Sequence, residues 1–285
     1  MKKQTVSLLV LHLLVRGLGS VRKVDDEVAC RLGGITEEMG GFVHLYAVEL
    51  QRSGVFVHGV TTGKEKAACR KQKDSLNTYF LSACFGEKYM GMTPEEAVKK
   101  YTEKYVGDYR KDLEPMYRKD EQDKENAGEI GAWYSYYKGI ESHVQLYTGH
   151  LLVYRIDYNE YTGGAHGIYM STFLNLDLRT LAPIRLDDLF AGDYKEQLTD
   201  LLWNQLMADN KVATRQELED MGYVTTGDLT PTENFYLGKD GITFYYNVYD
   251  IAPYVMGPVK ITLPYEMMQH LLSDETMALN DVRNP

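Results

Sequence analysis

Tyr161-Thr-Gly-Gly-Ala-His-Gly167 joins two stretches in which apolar and polar residues alternate, Leu152, Tyr154 and Ile156 before it and Ile168–Leu178 after it. That period of two belongs to strands with one buried face. Adjacent glycines, and a third after the histidine, are costly inside a sheet unless the backbone turns sharply or takes positive φ. The stretch therefore predicts a tight connection with His166 at its apex and Tyr158, Tyr161 and Tyr169 beside it. Upstream, Val144 and Leu146 alternate toward Thr148-Gly149, which predicts a hairpin into Leu152. Three such segments in succession fit an antiparallel meander with one face covered.

The surrounding chain supplies helices. Leu76, Phe80, Ala83 and Cys84 share one face of a helix over Ser75–Phe85 that ends at Gly86. Thr93-Pro-Glu-Glu96 has an N-cap, a proline suited to the first helical position and a glutamate that completes a capping box. Ala97, Tyr101 and Tyr105, with Val98, Val106 and Tyr109 beside them, form the apolar stripe that follows, Pro115 is expected near the helix end, and the polar run Arg118–Glu125 reads as a surface connection. Beyond the meander, Leu186-Asp-Asp-Leu-Phe190 introduces a helix, and Asp193 with Glu196 reads as a capping pattern ahead of Leu198, Leu201, Leu202 and Leu206. Phe235–Leu237, Gly238-Lys-Asp-Gly241 and Ile242–Tyr249 read as a hairpin, Val259, Ile261 and Leu263 as a last strand, and Tyr265–Leu272 as a short amphipathic helix. Residues 35–62 read as short strands. Grouped helices beside an antiparallel sheet define an α+β fold, with helices packed on one side of the sheet and two intimately packed halves. The expected division is a leader over 1–20, an amino-terminal half over 21–160, a carboxy-terminal half over 161–273 and a polar tail over 274–285.

A net charge of −10 argues against nucleic acid, which requires a basic footprint, and would steer a cationic partner. The 23 tyrosines suit amphipathic strands and wet binding surfaces alike, because each pairs a large apolar ring with a polar tip. Lys2-Lys3 followed by the apolar run Val6–Val15 and then Gly17-Leu-Gly19 resembles a secretory signal sequence, imperfect at His12 and Arg16. The run is too short to cross a bilayer, and export is the expectation, with an amphipathic first helix as the alternative. Cys30, Cys69 and Cys84 include no Cys-x-x-Cys pair, and Cys84 is expected as a small core residue. The spacing leaves a Cys69–Cys84 disulfide open.

No histidine pair has metal-ligand spacing, and the chain lacks a phosphate-binding Gly-Lys-Ser/Thr loop, a Gly-x-Ser-x-Gly elbow and a dinucleotide fingerprint. Neither metal nor cofactor is expected. Asp187 and Asp188 sit at a helix start, where carboxylates serve the free N–H groups. His166 has three readings: a brace for its own turn, a binding contact, or a general base with Asp157, Glu160 or Asp177 from the flanking strands. The second unusual segment is Tyr249-Asp-Ile-Ala-Pro-Tyr-Val-Met-Gly-Pro258. Pro253, Gly257 and Pro258 shape a stiff loop that presents Tyr254 and Met256, either to a ligand or as cover for a sheet edge.

Tyr161-Thr-Gly-Gly-Ala-His166, Leu186-Asp-Asp-Leu-Phe190 and Ile251-Ala-Pro-Tyr254 with Gly257-Pro258, in that order, resemble the RsiV-type extracytoplasmic domain family. This domain of unknown function is shared by the anti-sigma factor RsiV and the non-catalytic region of PdaC-like peptidoglycan deacetylases. The likeness runs over roughly residues 70–272, with Leu76-Asn77 through Phe85-Gly86, Tyr109 and Trp133–Tyr136 as its earlier part. Two positions depart from the family pattern: Gly167 stands where proline often follows the histidine, and Thr180-Leu181 where a Thr-Gly turn is usual. Neither the sigma-binding segment of RsiV nor the deacetylase catalytic domain is seen in this sequence.

The resemblance implies a non-catalytic module of the bacterial envelope that recognises a cationic protein such as lysozyme, or a cell-wall glycan. Tyr161, His166, Tyr169, Tyr254 and Met256 are the contact candidates, with Gly163, Gly164, Gly167, Pro253, Gly257 and Pro258 shaping the turns. The alternatives are a glycan- or peptidoglycan-acting hydrolase using His166 with a nearby carboxylate, and a structural or assembly subunit.

Overall fold

The computed structural model describes residues 44–47, 75–122, 132–148 and 150–273. The expected leader, the basic stretch 64–73, Cys30, Cys69 and the tail from 274 lie outside the described residues.

In chain order the elements are β1 (His44–Ala47), α1 (residues 75–85), α2 (Pro94–Gln122), β2 (Tyr136–Tyr147), β3 (Leu151–Thr162), β4 (Ile168–Asp177) and β5 (Ala182–Pro183). There follow α3 (Leu186–Leu189), α4 (Lys195–Asn210), α5 (Arg215–Asp220), β6 (Phe235–Leu237), β7 (Gly241–Tyr246), β8 (Val259–Pro264) and α6 (Tyr265–Met268). The strands form a five-stranded sheet in the order β1-β2-β3-β4-β5 and a three-stranded sheet in the order β6-β7-β8. The fold is α+β. The meander is present, but β1 runs parallel to β2, with His44 opposite Tyr137 and Ala47 opposite Ile140, so the larger sheet is not antiparallel throughout.

Two compact units are distinguished. One holds the described residues up to Glu141 together with Tyr158–Ile168, and the other holds Ser142–Asp157 and the chain from Tyr169 onward.

In the first unit the capping box forms as expected: Thr93 N donates to Glu96 Oε2 at 3.0 Å and Glu96 N to Thr93 Oγ1 at 3.2 Å. The helix it starts does not stop near Pro115. It continues to Gln122, so Arg118 and its polar neighbours are helical and form no connection there. Proline removes one helical bond and crowds the preceding turn, and tertiary anchors offset that cost. Tyr134 OH donates to Asp120 Oδ2 at 2.6 Å, Tyr117 packs edge-on against Tyr134, and Tyr109 OH donates to the Tyr134 carbonyl at 2.8 Å. Cys84 is buried on α1, as expected of a small core residue.

In the second unit Leu198, Leu202 and Leu206 of α4 are buried with Trp203 in the core, among Ile242, Phe244, Ile261 and Leu263 of the smaller sheet. The Asp193–Glu196 capping pattern is not used, because the N-cap of α4 is Tyr194 and no side chain caps it. Burial of Tyr194 sets this start instead: its ring stacks on Phe190 at 5.0 Å, and its hydroxyl donates to Asp187 Oδ1 at 2.6 Å. Burial, reinforced by the Asp187 bond, pushes this phenol above its ordinary pKa. Asp188 accepts from Arg185 N at 2.8 Å and so serves the start of α3 as expected, whereas Asp187 accepts from the Tyr194 hydroxyl instead of a free N–H. A capping box forms at α5, where Glu217 N donates to Thr214 Oγ1 at 3.2 Å.

The outer edge of β4 is closed by side chains. The β5 pairing covers only Leu176 and Asp177. Ahead of it, Phe173 N donates to Asn234 Oδ1 at 3.0 Å, Asn234 Nδ2 donates to Ser171 O at 2.9 Å, and Ser171 N donates to Asn247 Oδ1 at 2.7 Å. A carboxamide carries an acceptor and a donor side by side, so it supplies what a neighbouring strand would. The arrangement is reciprocal. Asn175, buried on β4, donates to Phe235 O at 2.8 Å and accepts from Leu237 N at 3.0 Å along β6. Leu181, at one of the two departures from the family pattern, holds φ at 57° in the turn before β5.

Candidate binding surface

The predicted residues fall into two groups, one in each unit, and each is described by itself.

In the first unit the glycine-rich connection between β3 and β4 exposes Thr162, Gly164, Ala165 and His166. Gly163 has φ 81°, and a Cβ there would lie 2.5 Å from the carbonyl oxygen of Trp133, so only glycine fits. Gly167 has no positive φ, but a Cβ would come within 2.9 Å of the Glu160 carbonyl. Gly164 has neither constraint. His166 Nδ1 lies 3.0 Å from the Gly167 carbonyl, so Nδ1–H donates to the turn that carries it. Tyr161 is half-buried on β3 and Trp133 is exposed.

In the second unit the loop after β7 is shaped as its sequence implies. Pro253 O accepts from Met256 N at 3.0 Å, Tyr254 O accepts from Gly257 N at 3.0 Å, and Gly257 takes φ 71° before Pro258 leads into β8. The single 3-10 turn Tyr254–Met256 puts Val255 at its crest, 90% exposed. Tyr254 meets Tyr169 of β4 edge to face, with centroids 5.6 Å apart. Its other neighbour is Tyr249, at 5.7 Å. Tyr169 reaches across to the loop, its hydroxyl 3.5 Å from where a Gly257 Cβ would stand. Met256 turns the other way, toward the loop after α5, where a Cβ on Gly222 would lie 3.1 Å from its Sδ. The structure thus brings Tyr169 and Tyr254 together and adds Tyr249 and Val255. The strand expected over Ile242–Tyr249 ends at Tyr246, because Tyr249 takes φ 71° and the chain turns there, so Tyr249 stands exposed instead of paired in the sheet.

The carboxylates considered as partners for a catalytic histidine have other engagements. Asp157 Oδ1 accepts from Ser171 Oγ at 2.6 Å and from Arg155 Nε at 2.9 Å. Glu160 pairs with Lys138 at 2.9 Å. Burial opposes the charge of Lys138, but its bonds to Glu160 and Tyr101 outweigh that and hold its pKa above the ordinary value. Asp177 accepts from Arg179 Nη2 at 2.6 Å and from the Arg179 amide at 2.8 Å. The Arg179 bonds hold this carboxyl below the ordinary aspartate value. Among the described residues no group of three or more His, Cys, Asp or Glu side chains is placed to hold a metal ion. No described helix is long and apolar enough to cross a membrane.

Much of the tyrosine excess is accounted for inside the protein. Tyr246 OH donates to Thr230 O at 2.7 Å and Tyr265 OH to Gly238 O at 3.0 Å, so these buried rings tie down loops with their tips, while buried Tyr154 of β3 bonds Ser142 of β2 at 2.6 Å. Tyr169 and Tyr249, which are exposed, and the half-exposed Tyr254 between them stand apart from that use.

The fold is an α+β domain in which Tyr169 of β4 meets Tyr254 of the proline-bounded loop and Tyr254 meets Tyr249. The chain belongs to the DUF3298 family, the domain family its sequence resemblance pointed to. Residues 187–266 match that family, described as a protein of unknown function. The crystal structure of a DUF3298 member from Bacteroides fragilis is 69% identical, with a TM-score of 0.69 over 74% of this chain and 82% of that one. The peptidoglycan-N-acetylmuramic acid deacetylase PdaC of Bacillus subtilis is 22% identical over 186 residues, 64% of this chain. The chain spans about a third of that relative, 36% of its length.

Proposed function

We propose that this protein is a non-catalytic, extracytoplasmic binding module of the bacterial envelope that recognises a cell-wall glycan or a cationic protein such as lysozyme. The observation that carries the reading is the Tyr169–Tyr254–Tyr249 cluster, three exposed or half-exposed rings of which Tyr169 stands on β4, Tyr249 follows β7 and Tyr254 sits on the loop stiffened by Pro253 and Pro258. Rings held in place before binding lose little conformational entropy when a partner arrives. Tyrosine and methionine are also enriched where partners bury surface. Tyr254 and Tyr169 make the principal contacts, with Tyr161 and His166 as a second set and Met256, which turns toward Gly222, at most a support from behind the loop. The likeness to part of a peptidoglycan deacetylase supports an envelope location, and the net charge of −10 favours encounter with a cationic partner.

The test is isothermal titration of the protein lacking residues 1–20 with lysozyme, with soluble peptidoglycan fragments, and with a second basic protein as a charge control. Selective binding of one probe, weakened about tenfold or more by Tyr254→Ala, is the expected result. The proposal fails if neither probe binds selectively over the charge control, or if Tyr254→Ala and His166→Ala both leave the affinity unchanged.

A further inference from the structure

A polar cluster continues the Tyr169 face along β3 and β4 of the second unit. Ser171 follows Tyr169 by two residues on the same face of β4 and is buried. Its hydroxyl donates to Asp157 Oδ1 at 2.6 Å and accepts from Arg155 Nη2 at 3.2 Å and from Tyr245 OH at 3.3 Å. One donor and two acceptor positions are all a hydroxyl has, so Ser171 is saturated and fixes the groups around it. Arg155 also reaches Asp157 Oδ1 through Nε at 2.9 Å and Nη2 at 2.8 Å, and its guanidinium lies over the Phe173 ring.

The ion pair is clamped from inside and reaches solvent outside. The Arg155 and Asp157 side chains are 32% and 23% exposed. Every one of these bonds to Asp157 ends on Oδ1, and Arg155 makes its bonds through Nε and Nη2. Asp157 Oδ2 and Arg155 Nη1 take part in none of them, so the held pair offers an acceptor and a donor. A sugar hydroxyl donates and accepts at once and matches such a pair, with bonds strengthened by the charges. The ring of Tyr169 beside it, packed on Tyr254, suits the C–H side of a sugar ring.

Charge at the face selects between occupants. Lys260 Nζ lies 5.5 Å over the Tyr245 ring, and Asp250 accepts from Asn247 N at 2.6 Å while Asn247 holds Ser171 N. Arg155 and Lys260 thus stand against Asp157 and Asp250, and the charges of this connected cluster balance. A basic protein calls for an excess of acid where it docks. The net charge of −10 belongs to the chain as a whole, not to this cluster. A neutral ligand needs no such excess.

We infer that the face takes a neutral saccharide, with Tyr169 and Tyr254 against the C–H side of a sugar ring and Asp157 with Arg155 binding its hydroxyls. This rests on the binding-module reading and narrows it to one occupant.

The test titrates the protein and its Asp157→Asn and Tyr169→Ala variants with the N-acetylglucosamine tetramer, and melts each. Asparagine keeps the oxygen that Ser171 and Arg155 use and turns the outward acceptor into a donor. Wild type should bind the tetramer, and each variant should raise its Kd by about tenfold. If Asp157→Asn lowers the melting temperature, Tyr169→Ala, at an exposed position, decides. Tetramer binding with a Kd unchanged in a folded variant puts the sugar elsewhere and overturns the inference, while the module stands. Selective binding of lysozyme over the charge control, with no tetramer bound, also overturns it and leaves the module standing. If wild type binds neither, the module reading falls and takes this site with it.

Discussion

Tyr169 and Tyr254 meet edge to face with ring centroids 5.6 Å apart, one at the start of β4 and the other on the loop before β8. Tyr169 shares its strand face with Ser171, Phe173 and Asn175, the residues that meet β6 and β7. The face that builds the core therefore ends in an exposed ring. The loop beyond β7 comes close to that ring at Gly257, which takes φ 71° and whose missing Cβ would stand 3.5 Å from the Tyr169 hydroxyl.

Edge-to-face tyrosine pairs contribute about 0.5–1.5 kcal/mol beyond simple burial. A double-mutant cycle with Tyr169→Ala and Tyr254→Ala, followed by urea unfolding, should return a coupling energy in that range. Strict additivity would show that the two rings do not support each other in solution.

Asn234 is a larger stability determinant. Its carboxamide bonds Phe173 N, Ser171 O and, at 3.1 Å, Tyr245 O. Asn234→Ala strands several backbone groups at a buried edge and should cost about 2–4 kcal/mol. Asn234→Asp, nearly the same shape, keeps the acceptor but loses the donor and should also destabilise. A wild-type urea midpoint for the aspartate variant would remove the strand-substituting role argued here.

Gly163→Ala places a Cβ 2.5 Å from the Trp133 carbonyl at a φ of 81°. The combined clash and backbone strain should cost about 1–3 kcal/mol. Gly164→Ala has nothing closer than 3.9 Å and should be nearly neutral. Comparing the two melting temperatures separates the glycine that the turn requires from the one it tolerates.

The acid limb of the stability curve should carry the signature of Asp177. Its carboxyl titrates below the ordinary aspartate value of 3.8, chiefly through the bonds from Arg179. A depressed folded-state pKa stabilises at pH above the unfolded value, and that contribution disappears as pH falls through the folded value. Asp177→Asn should lower stability at neutral pH and flatten the loss below about pH 4. Parallel acid limbs for wild type and variant would mean that the pair contributes nothing in solution.

Residues a few positions apart determined much of this protein. The Thr93–Glu96 capping box, the α4 face of Leu198, Leu202 and Leu206, the hairpin before β3 and the glycine connection after it all follow from local period and local sterics. Those signals operate within a turn or two of chain, so they can be read without knowing what lies opposite. Tertiary structure alone decided that α2 passes through Pro115, because Tyr134 holds its far end. It alone decided that α4 begins at a buried tyrosine, that asparagines close the edge of β4, and that Tyr249 adopts positive φ beside Tyr254. Where Tyr134 bonds Asp120 and Asn234 bonds Phe173, a contact from distant sequence outweighs a local preference worth about 1–3 kcal/mol, and no short window along the chain contains both partners.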